Sequence, residues 1–471
     1  MILLKHKIKE GKKYMKKQYT RRQKAIIRRR IFICTCLAVL IGLTAIIATF
    51  VNFIIGLSDK KDNNPSSSAP TSSISSQVSE QKEENKPPYI VNTATVLNIG
   101  DIMAHSTQLT GAYNSASGEY DFGAFFKETK PLFDKADLVT ANLEVTFGGK
   151  EAGEFRGYPS FNTPDSLADT IKDAGISLLL TANNHSYDTG LAGLKRTARV
   201  LSEKGIEFTG ISETPNTNNY VVKEVNGIKI GIADFTYETT NAEGETGRKY
   251  LNGIRLDTDA NNLINSFSYT NIDAFYSTAE SMIKGMKENG AEFITFHLHW
   301  GEEYQLSANT WQKSIAQKLS NLGVDMIVGG HPHVVQPIEL IHSEGSDHTT
   351  ICVYSLGNAV SNQRRELISS SPNGHTEDGL IFSYTLSKYN TGDVVLSAVD
   401  ATPTWVNKYS GGGGYQYTIY PVTSETSAAS DFGFSGANLE DTKQSFTRTK
   451  KIIGEGLREC QEHLGCEVTF E

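Results

Sequence analysis

Cysteine is scarce in this chain. Its 471 residues hold five, with no CxxC spacing, so no zinc ribbon is encoded. Cys34 and Cys36 fall in a long apolar run, and Cys352 falls in a short one that reads as core. Cys460 and Cys466 are the only pair left near each other, and an i, i+6 spacing leaves their pairing open. No internal repeat is present. Basic charge is short over most of the chain. Lys and Arg total 45 against 53 Asp and Glu, a net of −8, but residues 1–30 take 13 of the basic residues and one acidic residue. The rest carries 32 against 52, a net of −20. A basic block beside an acidic body is one signature of a nucleic-acid tail. The next segment argues against that and for no nucleic-acid partner.

Residues 31–57 (IFICTCLAVLIGLTAIIATFVNFIIGL) contain no charged residue. About 20 apolar residues suffice for a helix to cross the hydrocarbon core. The run is longer than the roughly 7–15-residue apolar core of a cleavable signal peptide, so it predicts an uncleaved, single-pass anchor. The Lys/Arg block before it keeps residues 1–30 in the cytoplasm, which places the main body outside the cell membrane. Residues 58–92 are rich in Ser, Asn and charge. They bury too little apolar surface to offset their ordering entropy and predict a flexible, disordered spacer.

From Thr93 to Val422 apolar runs alternate with amphipathic segments, predicting an α/β domain with helices covering sheets. Strands are expected at 95–99, 137–141, 176–181, 206–209, 221–225, 228–233, around Phe293 and Val324, at 351–355 and at 415–422. Helices are expected at 166–174, 191–204, 272–288 and 311–322. Asn226-Gly227 predicts a tight hairpin, and residues 380–396 read as another around Asn390-Thr391-Gly392. These antiparallel pairs argue against a purely parallel sheet. Gly411–Gly414 reads as a flexible loop, and 423–471 as a helical extension packed on the body.

Several apolar runs end in polar, metal-capable side chains. The run at Phe293 leads into His297, His299 and Glu303, and the run at Met326 into Gly329-Gly330-His331-Pro332-His333. Earlier runs end at Asp101 and His105, at Asn142 and Glu144, and at Asn183-Asn184-His185 with Asp188. The run at Ile351 ends near Asn358. Open α/β sheets place their sites at the carboxyl ends of strands, so these groups are expected to converge. Imidazole, carboxylate and amide oxygen together suit Mn, Fe or Zn, and the set is large enough for one ion or two. A two-metal site activates a hydroxide and clamps the oxygens of a phosphoryl displacement. His185 is then the natural general acid, held in its useful tautomer by Asp188.

GDIMAH (100–105), NLEVTF (142–147), GYPSFNTPD (157–165), TANNHSYDTG (181–190), FHLHWGEEY (296–304), GGHPHVVQPIE (329–339) and YSLGNAVSNQ (354–363) resemble the CapA family. This is the poly-γ-glutamate capsule biosynthesis branch of the calcineurin-like metallophosphoesterases. The resemblance covers about 94–422. It implies a four-layer α/β/β/α sandwich in a membrane-anchored extracellular protein that helps make, export or anchor an anionic γ-glutamyl polymer alongside membrane-embedded synthase or export components. It implies metal ligation by Asp101, Asn184, His299, His331 and His333, with His185 as the acid. The family's usual Asp-x-His on the first strand is absent, and its second-strand Gly-Asp is replaced by Asn142-Leu143-Glu144. Either Glu144 and His105 substitute, or one metal binds. An enzyme on a phosphoester, a polyanion-binding protein and a fold with a vestigial site all remain open. An acidic body repels a polyanion within a Debye length of about 8 Å, so polymer binding calls for bound cations or a basic groove. Lys195, Arg196, Arg199, Arg364 and Arg365 are the candidates for such a groove.

Overall fold

The computed structural model describes residues 87–216, 219–239, 248–411, 413–424 and 427–470. The basic tail, the apolar run 31–57 and most of the Ser-rich spacer lie outside the described residues. No helix among the described residues is long and apolar enough to cross a membrane.

The main elements in chain order are β1 (Ile90–Ile102), α1 (Ser106–Ala112), β2 (Leu138–Leu143), α2 (Ser166–Asp173), β3 (Leu178–Leu180), α3 (Gly190–Glu203), β4 (Glu207–Thr209), β5 (Tyr220–Val225), β6 (Ile228–Tyr237), β7 (Tyr250–Leu251), β8 (Ile254–Arg255), β9 (Ser266–Phe267), α4 (Ile272–Glu288), β10 (Phe293–His299), α5 (Thr310–Leu322), β11 (Met326–Gly330), β12 (Ile338–His342), β13 (Thr349–Val353), β14 (Asn358–Val360), β15 (Asp378–Tyr389), β16 (Val394–Gly411), β17 (Gly414–Pro421), α6 (Gly436–His463) and β18 (Glu467–Phe470). One mixed sheet runs β17-β16-β15-β1-β2-β3-β4, with β14 beside β1 and β18 beside β16. The other runs β9-β6-β10-β11-β13-β12, with β5 beside β6.

Period-two alternation sets the layering. Val96, Leu138, Leu178 and Leu180 of the first sheet pack with Ile230, Ile232, Met326, Val328 and Val353 of the second. The opposite face of the first sheet (Leu97, Ile99, Val139, Leu179) packs on α2 and α3 through Leu167, Ile171 and Leu201. The opposite face of the second (Phe235, Ile294, Phe296, Ile327) packs on α4 and α5 through Phe275, Met282, Ile283, Ile315 and Leu319. The two mixed sheets therefore face each other, with helices outside. Local chemistry agrees with the helix ends. Asn309 and Gln312 form a reciprocal capping box that starts α5, and Gly323 at φ 89° closes it.

Three details differ from the sequence reading. The first strand begins at Ile90, because Ile90 and Asn92 already pair with β15. The strands flanking the expected 411–414 loop run further than expected, since Gly411 pairs directly with Gly414. The C-terminal segment is built into the fold: α6 contributes Ile453 and Leu457 to the inter-sheet core, and β18 pairs in parallel with β16. Cys352, Cys460 and Cys466 are buried free thiols.

Candidate metal centre

The parallel pairings bring the strand ends together. Asp101 at the end of β1 lies opposite Asn142 of β2 and Asn358 of β14. His299 at the end of β10 lies opposite Gly330 of β11, which leads into His331 and His333. The turn after β3 carries Asn183, Asn184 and His185. Two groupings of ligand atoms result, each within 4.8 Å: Glu144 with His299 and His331, and Asp101 with Glu144 and His333. Glu144 belongs to both. All five side chains are buried, Asp101 and Glu144 at 0% exposure.

The contacts converge on the Glu144 carboxyl. His299 Nε2 is 3.5 Å and His333 Nε2 3.8 Å from Glu144 Oε1. His299 Nε2 is also 2.7 Å from Asn184 Oδ1. Asn142 orients the carboxylates, with Nδ2 donating to Asp101 Oδ1 at 2.8 Å and to Glu144 Oε2 at 3.3 Å. Asn183 donates to Asn142 Oδ1 at 3.0 Å and fixes that amide. Asn358 Oδ1 faces His333 Nδ1 at 3.1 Å, and its amide donates to Gln363 and the Thr376 carbonyl. His331 and His333 sit at φ 95° and 56°, and nearby Tyr304 at 66°. Positive φ costs about 1–3 kcal/mol for a non-glycine residue and clusters where a site over-determines the backbone.

Electrostatics favours a cation here. Burial first, then the carboxylates of Asp101, Glu303 and Asp188, push the Glu144 carboxyl well above its ordinary range. Burial first, then neighbouring imidazoles, hold His299 and His331 well below theirs. Burial outweighs the 3.5 Å His299–Glu144 contact, so both groups are shifted toward their uncharged forms. Among the described residues Glu144 Oε1 and His331 Nδ1 are buried with no hydrogen-bond partner, a costly state for polar atoms. Buried imidazole, carboxyl and amide donors around unpartnered atoms fit a divalent metal ion. Among the described residues, the charges that shift Glu144, His299 and His331 come from carboxylates and imidazoles and not from Lys or Arg.

The Gly329-Gly330 pair earns its place by close approach. A Cβ on Gly329 would lie 1.9 Å from the Tyr354 carbonyl oxygen, and one on Gly330 would lie 2.7 Å from Asp101 Oδ1. Gly329→Ala is therefore expected to cost about 3 kcal/mol by forced backbone movement. Gly330→Ala displaces only a carboxylate. It is expected to lower metal affinity at least about tenfold while changing stability by under about 1 kcal/mol. Metal titration paired with urea denaturation separates the two; equal effects on both measurements would contradict this geometry.

The remaining sequence candidates fall around this core. His185 Nδ1 meets Asp188 Oδ2 at 2.7 Å, and Phe161 N donates to the same oxygen at 2.6 Å. His105 is in neither ligand grouping. It stands at the start of α1, where its backbone N donates to Gln108 Oε1 at 2.8 Å and its Nδ1 accepts from Asn362 N at 3.3 Å. Burial first pushes its imidazole down to about 4. His297 lies beneath the centre beside Asp234 in a small cavity, its Nδ1 unpartnered, and burial lowers it to about 3. Glu303 is exposed near the mouth, close enough to act on Glu144 and Tyr304. Four members of the expected basic patch are engaged with carboxylates: Arg196 with Asp165, Arg199 with Glu213, Arg364 with Glu377, and Arg365 with Glu377 and Asp441.

Sequence reasoning missed Tyr237, whose ring lies 4.8 Å from that of His331, and Tyr304, 6.2 Å from His333. It also missed Asp234, whose carboxylate accepts from Ala182 N at 2.7 Å and braces the 181–185 turn from the opposite sheet. An acidic residue closing the apolar run 228–233 was the available signal.

The family model described as "Bacterial capsule synthesis protein PGA_cap" matches residues 95–363, more than half of the chain. The chain belongs to this family. The match spans every residue of both ligand groupings and ends before β15 and α6. The PGA biosynthesis protein CapA of Bacillus subtilis (strain 168) is 28% identical over 66% of this chain and 73% of that protein. The capsule biosynthesis protein CapA of Bacillus anthracis is 26% identical over 57% of this chain and 60% of that protein. The solved structure of TT1561 of Thermus thermophilus aligns with 61% of this chain and 93% of that chain at 10% identity. Its TM-score of 0.31 is too slight a likeness to carry weight.

Proposed function

We propose that this protein is a membrane-anchored, extracellular CapA-like protein that acts in the synthesis, export or anchoring of a poly-γ-glutamate capsule-type polymer. Its body is a metallophosphoesterase-like sandwich, and a mono- or dinuclear centre is the part that engages the polymer or its precursor. Membrane-embedded synthase or export components are its expected partners. The observation that carries this reading is Glu144 shared between two buried ligand groupings, in a chain whose family and named relatives are capsule synthesis proteins. The topology rests on residues 1–57, a basic block followed by an uncharged run.

A divalent ion bound here would act as a Lewis acid and supply a hydroxide at neutral pH. The chain's own groups do the rest. Asp101, Glu144, His299, His331 and His333 would hold the ion, with Asn184 offering an amide oxygen. Asn142 and Asn183 fix the carboxylates. The carboxylates of Asp101, Asp188 and Glu303, which already disfavour charge on Glu144, repel an anionic ligand until cations neutralise them. Polymer recognition through the metal, rather than through a basic groove, follows from that sign.

A second reading is a metal-dependent phosphoesterase acting on a cell-envelope substrate, and the His185–Asp188 pair favours it. His185 Nδ1 is committed to Asp188 at 2.7 Å, so Nε2 is the atom left to take up a proton from water and pass it to a leaving group. Phosphatase activity that survives Asn184→Ala would belong to a contaminant. The family-level reading is tested in a capsule-forming host in which this chain replaces the resident CapA. Asp101→Ala and His333→Ala are expected to abolish cell-associated polymer at unchanged protein level. Normal polymer export in both variants would sink the claim that the centre matters.

A further inference from the structure

The Asn252-Gly253 dipeptide closes the short hairpin between β7 and β8 with φ of 49° and 71°. Asn and Gly tolerate this left-handed geometry best. The hairpin is anchored beside the turn that carries His185: Leu251 is fully buried in a cluster with Ala182, Tyr187 and Leu194. Tyr187 Oη also donates to Asp257 Oδ2 at 2.8 Å, just beyond the hairpin. The Asn252 side chain then reaches the His185–Asp188 pair. Its Nδ2 lies 3.0 Å from the Pro159 carbonyl, 3.4 Å from Asp188 Oδ1 and 3.4 Å from His185 Nδ1.

Proton counting decides among these contacts. His185 Nδ1 donates to Asp188 Oδ2 at 2.7 Å, so that nitrogen has no lone pair for the amide. An amide nitrogen carries two protons and accepts nothing. One proton goes to Pro159 O and the other to Asp188 Oδ1. Asp188 Oδ2 already receives His185 Nδ1 and Phe161 N. With Asn252 on Oδ1, both carboxylate oxygens are engaged and the group cannot swing away from the imidazole. The Phe161 ring closes the other side, edge-on to His185 at 4.8 Å.

We propose that Asn252 is a positioning residue for His185. It pins Asp188, and through Asp188 keeps the imidazole proton on Nδ1 and Nε2 directed away from the pair. This rests on the reading of His185 as the group that moves a proton at the centre. Two substitutions preserve the turn: Asn252→Gly keeps the backbone and removes the donor, and Asn252→Asp keeps the shape and replaces the donor by a charge that repels Asp188.

The test uses the full-length chain, zinc-loaded and labelled with 15N-histidine. Wild type should show His185 as a single Nδ1–H tautomer with a slowly exchanging proton. Both variants should keep wild-type zinc content and exchange that proton at least about tenfold faster. Turnover of two aryl phosphates adds a readout that loss of structure alone would not split. General acid help matters most for the poorer leaving group. Asn252→Gly should therefore slow phenyl phosphate about tenfold and p-nitrophenyl phosphate less than about twofold. Unchanged tautomer and exchange in both variants would overturn the proposal, as would equal slowing of the two esters. If the wild type hydrolyses neither ester, the phosphoesterase reading fails, and the exchange measurement alone decides the role of Asn252.

Discussion

Glu144→Gln is expected to empty the centre and, in the metal-free protein, to make the fold more stable. Glu144 is the ligand common to both groupings, so one substitution should remove every bound ion. Partners that merely support a ligand are worth about 10–100-fold in metal affinity, and a shared ligand should exceed that. The loaded protein loses the stabilisation that bound metal provides, about 2.7 kcal/mol at a hundredfold excess over Kd. Without metal the sign reverses. The buried Glu144 carboxyl has its pKa raised above the ordinary 4.5 in the folded state, by burial first and then by Asp101, Glu303 and Asp188. Such a group binds protons more tightly folded than unfolded, so its contribution is fully present below pH 4.5 and is lost as pH rises through the folded value. A neutral amide carries no such penalty. Chelator-treated Glu144→Gln should therefore be more stable than wild type at pH 7.5, with the gap closing toward pH 4.5. Urea denaturation at several pH values reads this directly. A variant less stable than wild type at pH 7.5 without metal would contradict the account.

The second large effect lies far from the ligands. Asp378 is 1% exposed and opens β15, and Arg448 of α6 grips it through both oxygens at 2.7 Å. Arg365 joins α6 at Asp441 and also binds Glu377. These pairs clamp α6 to the 361–377 segment, which supplies Gln363 and the Thr376 carbonyl to Asn358, and Asn358 in turn bonds His333. Arg448→Ala leaves a buried carboxylate unpaired, a change that costs about 3–5 kcal/mol. Adding Asp378→Asn to it should recover part of that loss, because the uncompensated charge is gone. A denaturation series on the two single variants and the double checks both statements. A loss under about 1 kcal/mol for Arg448→Ala would mark the pair as a surface one.

Much of the scaffold was legible because its signals are local. The helix at 272–288 shows apolar residues at Phe275, Ala279, Met282, Ile283 and Met286, all buried, and matches its expected bounds. The hairpin at Asn226-Gly227 likewise follows from one dipeptide. The convergence of these side chains was legible because His, Asp, Asn and Glu follow apolar runs, and strand ends of parallel sheets meet. What stayed hidden depends on partners distant in sequence. Asp234 braces a turn 52 residues away. His105 was open as a substitute ligand despite its different spacing from Asp101, and it stands at the start of α1 outside both groupings, accepting from Asn362 N. The Arg364 and Arg365 pair looked like a free basic patch, but their carboxylates come from Glu377 and Asp441. The long strand Val394–Gly411 was read only to Leu396 because residues 394–398 are partly covered or exposed and 401–407 are buried in succession, so neither stretch alternates with period two. Asn252-Gly253 carried the same hairpin signal as Asn226-Gly227, and only the fold shows that its tip reaches His185.

The central claim is that the strand-end cluster holds metal. Elemental analysis of the full-length chain, purified without chelators, tests it most directly. One or two equivalents of Mn, Fe or Zn per chain, lost in a His331→Ala/His333→Ala variant that keeps its fold, is the predicted result. A wild-type protein that carries no divalent metal and takes up none on titration would contradict it, and the family fold would then serve binding without a metal.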